Sequence, residues 1–367
     1  MQLSPSYYNL IHNLWSNKPD KWFSPQEFRI KLAKMNPLFK EGLPNDAKDL
    51  VTFILMQLHS ELNLKDGNNN INNNIDYNIQ NQYNEQVTLN NFIQSFFSEN
   101  SSVLSDHFFG VQESKFLCTG CQKRAMGKGL TPIKYNFQTF NFLIFPLEEV
   151  RIHRNKKLKS MNPFNMNNPM NMNQFNMNNP MNMNQFNMNN PMNINQFNMN
   201  NQMNMNQFNM NNNLMNINQN VVTIYDCFDY FQKEEFFTGE NAMWCNDCNA
   251  LLPSRNQTFI YTGPNILILI LNRGVGIQFK IKLNYYESID LNKYILKKDR
   301  DSMIYDLYGV VTHIGESGGG GHFIAACKSP CNNQWYRYND ALINQITNLQ
   351  KEVIDFGNSY ILFYQKK

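Results

Sequence analysis

The sequence predicts an α+β fold, and two observations support its β part. The C-terminal third contains runs of alternating side-chain character, which are typical of strands. Two C-x-x-C pairs lie near predicted strand turns and indicate a four-cysteine metal site within the β structure.

A hairpin near the C-terminus is predicted to bring a histidine and an asparagine together. Residues 322–327 alternate as a strand, 329–332 are typical of a turn, and 334–338 are predicted to form the return strand. A turn centred in the middle of 329–332 would place His322 directly opposite Asn339. Cross-strand neighbours have Cβ atoms roughly 4.5–5.5 Å apart, which is within reach of a side-chain hydrogen bond.

This pair would supply two of the groups that a thiol nucleophile needs, a base and a residue that orients it. The alternative is a strand histidine beside a turn asparagine, with no chemistry. A run of glycines directly before His322 favours the catalytic interpretation, because glycine lets a substrate backbone approach closely. The run consists of Gly318, Gly319, Gly320 and Gly321.

The residues around this pair carry a family resemblance. The segments are Y-D-L-Y-G-V-V-T-H-I-G-E-S-G-G-G-G-H-F-I-A-A-C-K, W-Y-R-Y-N-D-A-L-I and Y-I-L-F-Y-Q. They resemble the histidine box of the ubiquitin-specific proteases. The resemblance implies that His322 is the general base, that Asn339 orients it and that Asp340 assists. It gives His313 a structural role, and Gly318 to Gly321 would frame the channel for the Gly-Gly tail of ubiquitin.

The resemblance extends over nearly the whole chain outside its low-complexity segments. Earlier motifs occur in the family's order: W-F-S-P at 22–25, N-D-A-K-D-L at 45–50, L-H-S-E-L at 58–62 and P-N-I-L-I-L at 264–269. The family's nucleophile box, G-L-x-N-x-G-N-T-C, has no counterpart in the sequence. We therefore expect a protease domain without its N-terminal head, either a truncated form of an active enzyme or a true pseudoenzyme.

Seven cysteines are present, and four of them form the two C-x-x-C pairs, Cys118, Cys121, Cys245 and Cys248. A two-residue spacer lets one turn present two thiolates, and tetrahedral zinc needs four. The resemblance implies one structural zinc ion at the tip of the family's fingers subdomain; the alternative is surface thiols left over from a lost site. Cys227, Cys327 and Cys331 have no helix N-terminus or oxyanion donor beside them, so none is predicted to be the nucleophile.

The resemblance implies a papain-like cysteine protease fold with a helical thumb, a β palm and zinc-tipped β fingers. We predict a single domain over 1–367, with an Asn-rich insert at 67–86 and a longer insert at 157–220. In the longer insert an eleven-residue unit rich in Asn and Met restarts at five phenylalanines. Such a segment buries too little apolar surface to offset the entropy of ordering, so it is predicted to be disordered and prone to self-association.

The implied function is that of a deubiquitinase, a thiol hydrolase that removes ubiquitin from proteins. Because the nucleophile is missing, the chain as given is expected to be inactive; the alternative is a ubiquitin-binding scaffold. The formal net charge is +3, and the basic run 151–159 is interpreted as a solvated strand end, without nucleic-acid binding. The apolar run 266–271 is too short to span a membrane. Free thiols and the lack of a signal peptide indicate the cytosol or nucleus.

Overall fold

The computed structural model describes most of the chain outside its low-complexity segments. The described residues are 2–16, 23–65, 83–126, 132–161, 220–274, 276, 280–297, 303–315 and 320–367. The helices are α1 (Ser4–Leu14), α2 (Gln26–Met35), α3 (Ala47–Glu61), α4 (Glu85–Glu99), α5 (Val103–Phe108), α6 (Thr119–Ala125), α7 (Leu147–Met161) and α8 (Ile224–Phe231).

Strands occupy most of the second half. They are β1 (Gly110–Cys118), β2 (Lys134–Phe140), β3 (Leu143–Pro146), β4 (Val221–Thr223), β5 (Glu234–Phe237), β6 (Met243–Cys245), β7 (Ala250–Leu252), β8 (Ser254–Thr262), β9 (Ile266–Asn272), β10 (Lys282–Asn284), β11 (Ser288–Asp290), β12 (Ile304–Ile314), β13 (His322–Lys328), β14 (Trp335–Asn339), β15 (Leu342–Ile346) and β16 (Ser359–Lys366).

A large sheet in the order β15-β14-β13-β12-β16-β9-β3 forms the palm, with β11 paired to β12. Strand β9, which lies between β16 and the edge strand β3, is an unbroken apolar run, and both of its faces are covered. Leu267, Leu269 and Leu271 join the main core, whereas Ile268 and Ile270 join a second core beneath α3 and α5. Burial on both faces explains why this strand does not alternate between apolar and polar residues.

A separate sheet in the order β2-β1-β8-β5 forms the fingers. The long antiparallel strands β1 and β8 pair from Val111 with Thr262 to Cys118 with Ser254, and so carry the chain away from the palm. The small hairpin of β6 and β7 stands beside Cys118 at the far end. One pair of long strands therefore fixes where the C-x-x-C motifs lie.

The N-terminal helices pack on the palm as the thumb. The side chain of Asp46 accepts from the backbone N–H of Lys48 at 2.8 Å and so caps α3. The carboxylate of Glu61, at the end of the same helix, accepts from the backbone N–H groups of Leu3 and Ser4 at 2.7 Å. Each carboxylate thus accepts from N–H groups at the start of a helix, which need acceptors: Asp46 at the start of α3 and Glu61 at the start of α1.

The hairpin that contains His322 forms, but its predicted register is wrong. Ala325 pairs with Tyr338, which shifts the pairing by two residues and puts Asn339 level with Ile324. The loop ends one residue later than predicted, because Asn333 adopts a left-handed φ of 57° and the backbone N–H of Ser329 bonds to the carbonyl of Gln334. Asparagine tolerates that conformation better than most residues.

The basic run 151–159 was predicted to be a strand end and is instead part of helix α7. Three of its cations pair with carboxylates: Arg151 with Glu148, Arg154 with Asp226 and Lys157 with Asp229. Helix α7 reaches Met161, so the insert predicted at 157–220 begins within it. Its residues 162–219 lie outside the described part of the chain, as do residues 67–82 of the shorter insert.

Glu113 is a buried carboxyl in the finger sheet, with Lys115 Nζ 3.2 Å away. Burial raises its pKa; Lys115 opposes the shift and Glu85 adds to it. A carboxyl with a raised folded-state pKa binds more protons when folded, so stability falls as pH rises between the unfolded and folded pKa values. Glu113→Gln should reduce the difference between the free energies of unfolding measured in urea at about pH 5 and at about pH 7.5. An unchanged difference between the two pH values would contradict it.

Candidate active site and metal centre

The first candidate site is built by the two strands of the C-terminal hairpin. His322 begins β13 and Asn339 ends β14. The Nε2 atom of His322 lies 2.7 Å from Oδ1 of Asn339. The two residues are diagonal rather than directly opposite, and diagonal neighbours on one face are about 7–8 Å apart, still within reach of long side chains. The contact between the two side chains therefore survives the shift in register.

The hydrogen bond to the asparagine oxygen determines the tautomer of His322. An amide oxygen only accepts, so Nε2 of His322 carries the proton and the neutral ring presents Nδ1 as the basic nitrogen. Nδ1 makes no hydrogen bond within the described residues, and 43% of the side chain is exposed. A solvent-accessible imidazole with one nitrogen fixed and the other available has the geometry of a general base.

Asp340 stands at the tight turn between β14 and β15 and has a left-handed φ of 50°. Its Oδ2 atom is 3.7 Å from Nε2 of His322, beyond hydrogen-bond distance, and its side chain is 82% exposed. The carboxylate therefore lies on the same side of the ring as Asn339. It contributes negative charge beside Nε2 of His322.

Two of the four glycines of the predicted channel, Gly320 and Gly321, are described; Gly318 and Gly319 lie outside the described residues. Gly321 has a φ of +153°, and a Cβ placed there would collide with the carbonyl oxygen of Ile314 and the ring of His313. Gly320 has open space around it. One glycine is thus required by local backbone geometry directly before His322, and its neighbour is not.

His313 lies beneath this glycine turn on β12. The ring is buried and meets Phe323 edge-on, with centroids 4.9 Å apart. Burial lowers its pKa, which favours the neutral ring. A neutral, packed imidazole that supports the turn before His322 agrees with the structural role implied by the sequence.

Asp46 was not singled out by its sequence, although it joins the thumb to this hairpin. Besides capping α3, its carboxylate accepts from the hydroxyl of Tyr360 at 2.7 and 2.8 Å. The ring of Tyr360 packs against Phe323, the residue after His322, at 5.4 Å between centroids. An aspartate before a helical run predicts a cap, but a partner 314 residues away leaves no local signal.

The second candidate site is a cluster of four cysteines at the fingertip. The Sγ atoms of Cys118, Cys121, Cys245 and Cys248 all lie within 4.8 Å of one another. Three of the separations are 3.6 or 3.7 Å. The two pairs come from α6 with its preceding residue and from the β6–β7 turn, so the fold joins motifs that are far apart in sequence. This arrangement could hold a metal ion.

Cations surround the cysteine cluster. Nη2 of Arg124 is 3.0 Å from Sγ of Cys248, and Nζ of Lys134 is 4.0 Å from Sγ of Cys245. Both cations lie where they would offset part of the negative charge of four thiolates bound to a metal ion. Gly120 completes the site, because a Cβ there would lie 2.7 Å from Sγ of Cys248.

The three remaining cysteines lie away from the hairpin pair. Cys227 is fully buried in α8, and burial raises its pKa well above the usual value. Cys327 follows His322 by an odd number of residues along β13, so its side chain is on the opposite face of the strand; burial raises its pKa as well. Cys331 is exposed in the hairpin loop.

Thumb, palm and fingers together define the class of protein. The chain has the papain-like α+β fold of the ubiquitin-specific protease type, with a histidine–asparagine pair at the edge of the palm and a four-cysteine fingertip. A family model described as "Ubiquitin carboxyl-terminal hydrolase" matches residues 2–364. The chain therefore belongs to the ubiquitin carboxyl-terminal hydrolase family.

Similar proteins carry that same description. Ubiquitin carboxyl-terminal hydrolase 2 of Bos taurus is 22% identical over 99% of this chain and 47% of the relative. Ubiquitin carboxyl-terminal hydrolase 12 of Saccharomyces cerevisiae is 29% identical over 41% of this chain and 12% of the relative. The chain thus spans about half the length of the bovine relative and a smaller share of the yeast relative.

Solved structures show the same fold. A yeast SAGA DUB module matches with a TM-score of 0.57 and 18% identity, over 100% of this chain and 58% of that chain. A SAGA DUB module bound to monoubiquitin matches with a TM-score of 0.58 and 19% identity, over the same shares of each chain. Within the described residues, no helix has the length and apolar character needed to cross a membrane.

Proposed function

We propose that this chain provides the ubiquitin-recognising fold and the general base of a cysteine-type deubiquitinase. One observation carries the proposal: Asn339 fixes Nε2 of His322 at 2.7 Å and leaves Nδ1 available. A ring held through one nitrogen with the other available is the arrangement that a general base requires. The matching SAGA DUB module bound to monoubiquitin supports ubiquitin as the partner.

In the proposed reaction Nδ1 of His322 takes the proton of a cysteine thiol, and the thiolate attacks the carbonyl carbon of ubiquitin's terminal glycine. A carbon–sulfur bond forms as the bond to the lysine nitrogen breaks, and His322 returns the proton to the leaving amine. Water then hydrolyses the thioester. Asn339 holds the ring so that Nδ1 faces the reacting groups, and Asp340 places negative charge beside Nε2.

None of the chain's own seven cysteines is proposed as the nucleophile. Four converge at the fingertip, Cys227 is sealed in the core, and Cys327 and Cys331 lie on the other strand face and in the loop. The attacking thiol would therefore come from polypeptide outside this sequence. The second candidate function, a ubiquitin-binding scaffold without turnover, is favoured by this same lack of a thiol beside His322.

We propose that the fingertip cluster holds one structural zinc ion. Thiolates bound about 2.3 Å from a tetrahedral zinc ion lie about 3.8 Å apart. The measured separations of 3.6 and 3.7 Å between three pairs of Sγ atoms fit that geometry. All four cysteines would bind the metal, so it would close the fingertip and leave no coordination position for a substrate.

The sequence also supports proposals about self-association and location. The uncharged, Asn/Met-rich repeat of the longer insert would mediate self-association, and free thiols suit the reducing cytosol or nucleus. Centrifugation of the chain with and without residues 162–219 would test the first of these. Equal sedimentation of both forms would contradict it.

Binding and hydrolysis of ubiquitin test the main proposal separately. Calorimetry with monoubiquitin should show binding, and the chain alone should release no fluorophore from a ubiquitin C-terminal coumarin amide. Addition of an N-terminal cysteine box from a relative should confer hydrolysis. In that form His322→Ala should lower kcat/KM by about 10²–10⁴-fold, whereas His12→Ala, an exposed histidine of α1, should not.

Each result has a clear reading. Hydrolysis by the chain alone would show that one of its seven cysteines is a nucleophile and would contradict our assignment. Binding without hydrolysis, even after the cysteine box is added, would favour the scaffold. Failure to bind ubiquitin would overturn both functions.

A further inference from the structure

A group of polar side chains surrounds the cysteine cluster without belonging to it. Asp247 lies within the second C-x-x-C motif, between Cys245 and Cys248. Its Oδ2 atom is 2.6 Å from Nζ of Lys134, and the hydroxyl of Tyr83 donates a hydrogen bond to the same oxygen. The carboxylate thus receives one charged and one neutral donor on a single atom, and both Asp247 and Lys134 are largely buried side chains.

Tyr83 also contacts the cysteines themselves. Its hydroxyl oxygen is 3.8 Å from Sγ of Cys121, within the distance of a weak hydrogen bond to sulfur. The ammonium of Lys134 stands 5.7 Å from the centre of the Tyr83 ring and completes a triangle of contacts. Tyrosine, aspartate and lysine therefore form one closed group against the cluster.

This group connects the fingertip to a helix of the thumb. Tyr83 directly precedes Asn84, whose side chain caps α4 by accepting from the backbone N–H of Val87. Helix α4 packs along the finger sheet through Leu89, which is buried, and through Phe92, whose ring faces Phe137 of β2 at 6.3 Å.

Strand β2 begins at Lys134, the same residue that binds Asp247. The contacts therefore close a ring: cysteine turn to Tyr83, Tyr83 to α4, α4 to β2, and β2 back to the cysteine turn. A ring of this kind makes the position of each member depend on the others. The start of α4 and the cysteine turn are held together by polar contacts, while the middle of α4 is held by aromatic packing.

We propose that Tyr83, Asp247 and Lys134 form the outer shell of the fingertip metal site and couple metal binding to the docking of the N-terminal turn of α4. The proposal rests on the proposed zinc site. Residues that hydrogen-bond to metal ligands orient them and commonly change metal affinity by about 10–100-fold. Such coupling is reciprocal, so metal should stabilise the start of α4, and Tyr83 should strengthen metal binding by the same factor.

The physical basis is the fixed position of Asp247. A metal ion bound to both Cys245 and Cys248 would immobilise the turn between them, and with it the carboxylate that accepts from Tyr83. Without metal the four thiols have no common ligand, and the turn is held by the β6–β7 hairpin, the Asp247–Lys134 ion pair and a hydrogen bond from Arg124 to the Asp247 carbonyl. The carboxylate of Asp247 is then freer to move, so its hydrogen bond from Tyr83 fixes the first turn of α4 less firmly.

Tyr83→Phe tests the coupling, because it removes one hydroxyl and keeps the ring over Lys134. We expect the variant to retain zinc at the wild-type stoichiometry but to bind it about tenfold more weakly in competition with a chromophoric chelator. We further expect hydrogen exchange of α4 residues 85–89 to slow on zinc addition in the wild type and to respond far less in the variant. Asp247→Asn should reproduce both effects.

Tyr135→Phe is the matched control, since Tyr135 is the next residue on β2 and its hydroxyl makes no hydrogen bond within the described residues. It should leave both measurements unchanged. Equal zinc affinity and equal zinc-dependent exchange in wild type and Tyr83→Phe would overturn the coupling while leaving the zinc site intact. A wild-type chain that binds no zinc would instead overturn the zinc site and the coupling together.

Discussion

Replacing Cys245 with serine should abolish binding of the proposed zinc ion and unfold the fingertip. The side chain is 1% exposed, and its sulfur lies 3.6 Å from that of Cys121. Structural zinc contributes roughly 10–16 kcal/mol of apparent binding free energy in small zinc domains, and serine removes one of the four thiolates that would supply it. Metal analysis by mass spectrometry and hydrogen exchange of residues 243–252 would measure the change.

The palm should survive that substitution. The fingertip cysteines form a small cluster of their own with Phe116 and Leu252, separate from the main core around β9. Local unfolding can therefore remain local. Cys331→Ser, at an exposed thiol of the hairpin loop, is the control and should change neither zinc content nor exchange. Full zinc retention by Cys245→Ser would show that the cluster is not the binding site.

Gly321→Ala should destabilise the chain by about 2–5 kcal/mol and disturb His322. Two costs combine: alanine rarely adopts a φ of +153°, and its Cβ would meet the carbonyl of Ile314 and the ring of His313. Both neighbours are fixed, one by the pairing of β12 with β13 and the other by burial. The backbone before His322 must therefore move, which should loosen the 2.7 Å contact with Asn339.

Urea unfolding and the imidazole NMR signals of His322 would measure both effects. Gly320→Ala provides an unusually close control, because a Cβ at that neighbouring position has nothing within 4 Å. It should change stability by less than about 0.5 kcal/mol. Equal stability of the two variants would mean that Gly321 is not constrained as the structure indicates.

Elements with a strong local pattern could be predicted from the sequence. Alternation along residues 322–327 predicted β13. The prediction of a strand end at 151–159 was wrong because charge alone does not distinguish a helix from a strand end. The ion pairs of this run with Glu148, Asp226 and Asp229 belong to a helix packed beside α8.

The candidate site was predicted only in part. The pairing of His322 with Asn339 was anticipated, yet its register was wrong by two residues because a left-handed Asn333 lengthens the loop. The side chains of His322 and Asn339 are long enough to form their hydrogen bond across the diagonal. The contact of Asp46 with Tyr360 and the contacts of Tyr83 were missed, since each joins segments that have no shared pattern in the sequence.

The sequence by itself determined the family, the residue types of the proposed base and of its orienting partner, and the two cysteine pairs, because short motifs and residue spacing are local properties. Tertiary structure decided which of these residues meet. The long β1–β8 ladder brings Cys118 and Cys121 to Cys245 and Cys248, and the palm sheet sets the register that joins His322 to Asn339. Such convergence depends on the packing of the whole sheet, which no single segment specifies.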